Sequence, residues 1–556
     1  MLARLFAAIF VNAAFCAAQT PVILISIDTL RADHLSAYGY RRIKTPNIDS
    51  FAEHGTLYSA IEAQIPLTLP SHTSLFTSTY PFQNRIEENA EHVPPGQVTL
   101  AGVLRDHGYQ TAAFIGSVFL ERELGLDQGF ETYDSPFHFA AFSPISGSMF
   151  FGDNRPSPSV REKRDGALVV RAASQWLASH RGQPVFAFLH LFDLHKPYDP
   201  HNGVSAPPGH DNGYDTELAY LDGLLGAFKK TLVDGGWWDR SVVVLLSDHG
   251  ESLGEHGEAS HGVFIYQSTV WVPLLIHWPA SMNVVPARVT DPAGLIDVAP
   301  TILDAVRVPA PPSFMGTSLL QRSPPRVVYT ESLHTHDSFG WAPLRSVRLG
   351  KYKYIQAPRP ELYDLDLDPH ELNNIYRKSS PLQAQLRDLL ARYTPKAPAP
   401  AQAVSPQTKA LLGSLGYLAG SPKPVSPSGG ADPKDRLPEL QLYEKSQVLL
   451  YYGRREEAIA LLQRILKLDP QNTLARRDLG ATFLDRKEYA QACAEFAKVL
   501  AVAPGDYMTE FEMGIAEEHR GLLKEAIAHV ETACRIAPEA VQCRAELAKL
   551  KKDGRL

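Results

Sequence analysis

Val242-Val243-Val244-Leu245-Leu246 is an aliphatic run with no polar break, bounded by Ser241 and Ser247. A strand with one face in water alternates apolar and polar residues. An unbroken β-branched run instead predicts a strand buried on both faces, as inside a parallel sheet. Asp248 and His249 follow at once. In open α/β sheets ligands bind just beyond the carboxyl ends of strands. An adjacent Asp and His there can give one oxygen and one nitrogen to a cation. An ordinary Asp-His-Gly turn is the plainer reading of those residues alone. The acidic, histidine-rich continuation of Glu251, Glu255, His256, Glu258 and His261 argues against it.

Two further segments repeat the pattern. Val22-Ile23-Leu24-Ile25-Ser26-Ile27 ends in Asp28. Two buried strands, each closed by a carboxylate, are what a metal site between neighbouring strands needs. Val185–Leu191 runs into Asp193-Leu194-His195-Lys196, polar residues able to bind a metal or a substrate. Helical signals lie between the strands. Leu100 to His107 is closed by Gly108. From Asp165 onward, Leu168, Ala172 and Trp176 form one helical row, and Val169, Ala173 and Leu177 the next. This alternation predicts an α/β sheet with helices on both faces.

Pro70 suits the first turn of a helix. Thr68 then lies at the helix N-terminus, where the dipole favours an oxyanion. A hydroxyl there, beside a cation, is a candidate nucleophile. The alternative is a threonine that only caps the helix. The stretch 135–156, with phenylalanines among Pro, Ser and Gly, reads either as a binding loop or as core packing.

A net charge of −7 over 556 residues, with no dense Lys/Arg run, argues against a nucleic-acid surface. Arg4, the apolar Leu5 to Phe15 interrupted only by Asn12, and Cys16-Ala17-Ala18 predict an export signal over residues 1–18. The expected location is periplasmic or secreted, with no transmembrane segment beyond the signal. No cysteine occurs from Ala17 to Ala492, so disulfides cannot hold the large N-terminal part together.

Residues 396–436 are rich in Pro, Ala, Ser and Gly and read as a flexible linker, with 411–417 as a short docked helix within it. Beyond it Pro470, Pro504 and Pro538 recur every 34 residues, as do Ala458, Ala492 and Ala526. Gly480 and Gly514 keep the same period, with Ser446 in the first copy, and Leu462, Phe496 and Val530 fill the large apolar place. This resembles tetratricopeptide repeats, each a helix pair. The expectation is an all-α solenoid over 437–556 that binds a protein partner and does no chemistry. Cys534 and Cys543 can be core residues or a disulfide.

The order of motifs over about 20–395 is similar to the sulfatase family of the alkaline phosphatase superfamily. The matching pieces include ISIDTLRADHLSAYGY (Ile25 to Tyr40), LPSHTSLFTS (Leu69 to Ser78), FLHLFDLHKPY (Phe188 to Tyr198), LLSDHGESLGEHG (Leu245 to Gly257) and ELYDLDLDPHELNN (Glu361 to Asn374). The resemblance implies a sulfatase-like catalytic domain that hydrolyses an anionic ester of sulfate or phosphate. It implies Asp28, Asp248 and His249 as metal ligands, joined by Thr68, and His195 and His261 as groups on the substrate's anion or leaving group. Thr29 stands where many sulfatases have a second Asp. Zinc or manganese thus becomes a candidate beside calcium or magnesium, as one or two ions. The family's C-x-P-S-R motif reads Thr68-Leu69-Pro70-Ser71-His72 here. Thr68 takes the nucleophile's place, and His72 takes that of the arginine. Threonine cannot yield the formylglycine of sulfatases, so the resemblance leaves sulfate and phosphate esters both open. A phosphoethanolamine-type transferase and a non-catalytic binding protein are the other readings.

Overall fold

The computed structural model describes residues 19–89, 91–137, 163–198, 213–321, 325–378, 380–393, 430–536 and 541–553. The expected signal at 1–18, most of the 135–156 loop and the helix expected at 411–417 lie outside the described residues.

The first strand, β1 (Val22–Ile27), is followed by β2 (Gly55–Glu62), β3 (Gln110–Phe114), β4 (Thr132–Asp134), β5 (Val185–Leu191), β6 (Val242–Leu246), β7 (Trp271–His277), β8 (Ala287–Val289) and β9 (Ala293–Gly294). They form one nine-stranded sheet in the order β4-β3-β5-β1-β6-β7-β2-β8, with β9 beside β2. From β4 to β6 every pairing is parallel, and β7 runs antiparallel to both neighbours. The three apolar runs, interrupted only by Ser26 in β1 and His190 in β5, are β1, β5 and β6, which lie side by side at its centre, with every residue buried.

Both faces of these strands are indeed covered. On one face Val22, Leu24, Phe186, Phe188, Val242 and Val244 meet the helices α1 (Thr68–Thr77) and α2 (Leu100–Asp106). On the other, Ile23, Ile25, Ala187, Leu189, Val243 and Leu245 meet α3 (Gly166–Ser179) and α4 (Tyr214–Asp234). Burial of each large aliphatic side chain contributes roughly 1.5–3 kcal/mol, so a polar residue in these strands must have a local partner. The predicted α/β sheet with helices on both faces is what forms.

A second, antiparallel meander follows: β10 (Val327–Ser332), β11 (Leu344–Leu349), β12 (Tyr352–Gln356) and β13 (Glu361–Asp364). It packs on the helix α5 (Pro381–Leu390).

The repeat region is a stack of helices: α6 (Leu437–Tyr451), α7 (Arg455–Leu468), α8 (Thr473–Asp485), α9 (Tyr489–Val502), α10 (Tyr507–His519), α11 (Leu523–Ile536) and α12 (Val541–Asp553). The 34-residue period has a steric basis. A Cβ on Gly480 would come within 2.6 Å of Phe496, and one on Gly514 within 2.5 Å of Val530, so the second and third helix pairs close only over a glycine. Cys534 and Cys543 form a disulfide.

The repeats and the region that precedes them share a core. Val263, Phe264, Tyr266, Phe339 and Trp341 cluster with Leu440, Tyr443, Ile459 and Leu462. The described end of the expected linker is ordered on this surface: Asp435 pairs with Arg359 at 2.7 Å and Lys434 with Glu361 at 2.6 Å.

Candidate active site

Asp28 directly follows β1 and Asp248 stands two residues past β6, so adjacent parallel strands deliver both carboxylates to the same edge of the sheet. The Asp28 amide donates to Leu191 O at 2.8 Å, which ties it to the end of β5 as well. Thr68 begins α1, after Leu67 in extended conformation. Pro70 in the first turn fits without loss, because the first amides of a helix have no intrahelical acceptor. Ser71 Oγ donates to Asp248 O at 2.7 Å and pins that turn to the end of β6.

Thr68 Oγ1 consequently lies 3.4 Å from His249 Nε2. His249 Nδ1 is 2.9 Å from Gly250 O, which can only accept, so Nδ1 carries the hydrogen. The lone pair of Nε2 in the neutral ring then faces Thr68. Oxygens of Asp28 and Asp248 and a nitrogen of His249 all fall within 4.8 Å of one another. Asp28 Oδ1 and Asp248 Oδ2 have no hydrogen-bond partner among the described residues. Two orphaned carboxylate oxygens in a fully buried place are costly unless a cation or donor sits between them. The donor set therefore fits a divalent ion. Burial pushes Asp28 up to about 6, against the pull of His249. Burial and the neighbouring Asp28 also raise Asp248. Burial opposes a charge on His249, but Asp248 and Asp28 outweigh it and hold its pKa above the usual histidine value.

His72 is one turn along α1. Its Nδ1 is 2.8 Å from Thr68 O and its Nε2 is 3.0 Å from Ser26 Oγ. Burial pushes it down to about 4, so the ring is neutral. His195 and His261 stand beyond His249: ring centroids are 4.4 Å apart for His249 and His261, and 5.2 Å for His195 and His261. His195 Nδ1 meets Lys196 O at 2.6 Å, and His261 Nδ1 meets Glu251 Oε1 at 3.3 Å. Burial lowers His195 to about 3 and holds His261 well below its usual value. All seven residues singled out from the sequence thus converge on one site.

His190 was not among them. It lies on β5 with Nε2 3.3 Å from Asp28 Oδ2, and with His72 and Asp248 it forms a second set of donor atoms within 4.8 Å. Its neighbours in sequence are apolar, and only the β1–β5 register, Ser26 opposite His190, brings it to Asp28. Thr29 has a positive φ of 56° and a buried hydroxyl with no partner among the described residues. A β-branched residue rarely takes that conformation. The kink turns the chain sharply just after Asp28.

The sulfatase family pattern matches residues 20–308, the pattern of the N-sulphoglucosamine sulphohydrolase C-terminal region matches 254–396, and that of the tetratricopeptide repeat matches 449–508. Arylsulfatase K of Rattus norvegicus is 24% identical over 437 residues, spanning 64% of this chain and 75% of that protein. The solved phosphonate monoester hydrolase of Agrobacterium radiobacter has a TM-score of 0.54 at 20% identity, covering 67% of this chain and 94% of its own. A further structure, solved with its substrate D-glucosamine-2-N, 6-O-disulfate, has a TM-score of 0.56 at 20% identity and covers 68% of this chain and 97% of its own. With the family pattern spanning more than half of its length, the chain belongs to the sulfatase family of ester hydrolases.

Proposed function

We propose that the protein is an exported, metal-dependent hydrolase of sulfuric or phosphoric esters in which Thr68 is the nucleophile. The observation that supports this most is the position of Thr68 Oγ1, at the positive end of α1 and 3.4 Å from His249 Nε2, beside the carboxylates of Asp28 and Asp248. Asp28, Asp248 and His249 would hold the ion, with Thr68 Oγ1 as a further donor. A divalent cation there supplies stabilisation of the negative charge on the transferred group. Mixed oxygen and nitrogen donors suit zinc or manganese better than calcium or magnesium.

Thr68 Oγ1 would bond to the phosphorus or sulfur as the ester alcohol leaves. His195 and His261 each keep their hydrogen on Nδ1, against Lys196 O and Glu251 Oε1, so the free lone pair on Nε2 of one of them would take up the proton released by the Thr68 hydroxyl, through solvent, and pass it to the leaving alcohol. Water attacking the same phosphorus or sulfur then restores the Thr68 hydroxyl. His72 acts as a positioning residue, because both of its nitrogens are engaged by Thr68 O and Ser26. In this reading 1–18 is the export signal, 20–395 the catalytic domain, 396–436 the connection and 437–556 a repeat domain that also binds protein. No helix among the described residues is long and apolar enough to cross a membrane.

The test is a panel of nitrophenyl sulfate, phosphate and phosphonate esters on one preparation, with its metal content measured. Turnover that survives Thr68→Ala at the wild-type rate would overturn the reading.

A further inference from the structure

The first repeat helix packs against the segment that carries His261. Leu437, Leu440, Gln441 and Glu444 follow helical spacing along one face of α6. The first three touch the hydrolase region. A Cβ on Gly257 would lie 3.1 Å from Leu437 Cδ1, Gln441 Nε2 donates to Gly257 O at 2.8 Å, and Leu440 joins the core formed with Val263 to Tyr266. Glu444 is one turn further along this face. It is within electrostatic reach of Lys196, Glu251 and His334, and of Glu258.

These residues frame the candidate site. Lys196 follows His195, and Glu251 Oε1 meets His261. His334 packs over Gly262, beside His261, and pairs with Glu88 at 3.1 Å. Glu251 Oε2 is fully buried and has no partner among the described residues. It is an acceptor left over between the catalytic histidines and the repeat helix.

We propose that Glu444, supplied by the repeat domain, is a specificity-determining residue that holds the leaving alcohol of the ester and favours hydroxyl or ammonium groups over a second anionic group. This rests on the hydrolase reading given above. Carboxylates accept hydrogen bonds from hydroxyl and ammonium donors, and like charges brought together repel. Glu251 and Glu258 are buried and held above the usual carboxylate range by burial, and Glu88 is paired with His334, so the half-buried Glu444 is the carboxylate this edge offers to a ligand beside Lys196. Burial pushes Glu444 up to about 7, so the residue is fully charged in mildly alkaline solution.

The experiment uses the full chain at about pH 8.5, above the carboxylate range. Calorimetry with glucosamine, which carries no ester, reads binding without turnover. In parallel, the ratio of kcat/KM for singly and doubly sulfated glucosamine is measured. Glu444→Gln should weaken glucosamine by about fivefold or more, and Glu444→Lys should shift the ratio toward the doubly sulfated ester by about tenfold. Lys445→Ala, an exposed neighbour on the same helix, should change neither. Unchanged glucosamine binding in both Glu444 variants overturns the proposal whether or not any ester is hydrolysed. Wild-type binding of glucosamine without turnover of any nitrophenyl sulfate, phosphate or phosphonate ester would instead count against the hydrolase reading alone.

Discussion

Ser26 and His190 are register partners on adjacent strands, and that pairing sets His190 Nε2 3.3 Å from Asp28 Oδ2. Neither ring nitrogen of His190 has a backbone acceptor, and Nδ1 has no partner among the described residues. Burial pushes the ring down to about 4, so it faces Asp28 as a neutral group. His190→Ala should therefore leave the Asp28 carboxylate less well oriented. The expected result is a loss of about 10–100-fold in metal affinity or activity, read by metal titration and ester turnover. Wild-type metal affinity and wild-type turnover together would remove His190 from the site.

Asp248 is shared by both sets of donor atoms. Asp248→Asn keeps the size of the side chain but removes its charge. The variant should purify with most of the metal gone and with turnover down by on the order of 10²-fold or more. Its far-ultraviolet circular dichroism should match the wild type. Full metal content in this variant would reject Asp248 as a ligand.

Much of this site was legible in the sequence because its residues sit at chain features that announce themselves. Asp28 and Asp248 stand at the ends of strongly apolar runs, and Thr68 opens a helix whose first turn holds Pro70. His190 was not legible, because its significance comes from the neighbour across the β1–β5 ladder, and strand order is not written in local sequence. Glu444 was hidden for a similar reason. Proline and alanine over 396–436 read as slack between independent domains, whereas the apolar stretch Val263 to Tyr266 covers itself with α6. The repeat period was the easiest feature to read, since Gly480 and Gly514 each lie under a large side chain of the paired helix.

Glycine in an exposed helix normally weakens it by about 1 kcal/mol relative to alanine. Gly223 in α4 is exposed, with nothing within 4 Å of an added Cβ, so Gly223→Ala should raise stability by up to about 1 kcal/mol. At Gly514 the same change places a methyl 2.5 Å from Val530, and the overpacking should cost about 1–3 kcal/mol. Urea unfolding of both variants checks the contrast. Equal effects would mean that the helix pair of the third repeat is looser than the structure shows.

His334 and Glu88 pair at 3.1 Å, with the His334 ring against Gly262 next to His261. Burial opposes a charge on His334, but Glu88, with Asp337 and Glu444, outweighs it and raises the pKa above the usual value. A raised histidine pKa means that the folded state holds the proton more tightly. The pair therefore stabilises the fold fully below the unfolded value of about 6.5 and loses this as pH rises through the folded value. Glu88→Gln should cost about 1–3 kcal/mol at about pH 5.5 and less at about pH 8.5. Chemical denaturation at both pH values reads the difference. An equal loss at both would show that His334 is not charged in the folded protein.

The chemistry of Thr68 bears on which ester is cleaved faster. A formylglycine hydrate expels bound sulfate by collapsing to an aldehyde, an exit that needs two oxygens on one carbon. Threonine carries one, so a Thr68 sulfate ester must be cleared by water attacking sulfur. A phosphorylated Thr68 can be cleared by attack at phosphorus, and the charge on the equatorial oxygens is stabilised by the cation that Asp28, Asp248 and His249 would hold. The positive end of α1 favours the alkoxide form of Thr68 in the attacking step. Phosphate or phosphonate esters should consequently be turned over faster than the matching sulfate ester. Thr68→Ala should lower both by on the order of 10³-fold or more, and Thr68→Ser should retain a measurable part. Paired nitrophenyl esters assayed on one preparation decide the matter, and a clear preference for sulfate would sink the prediction.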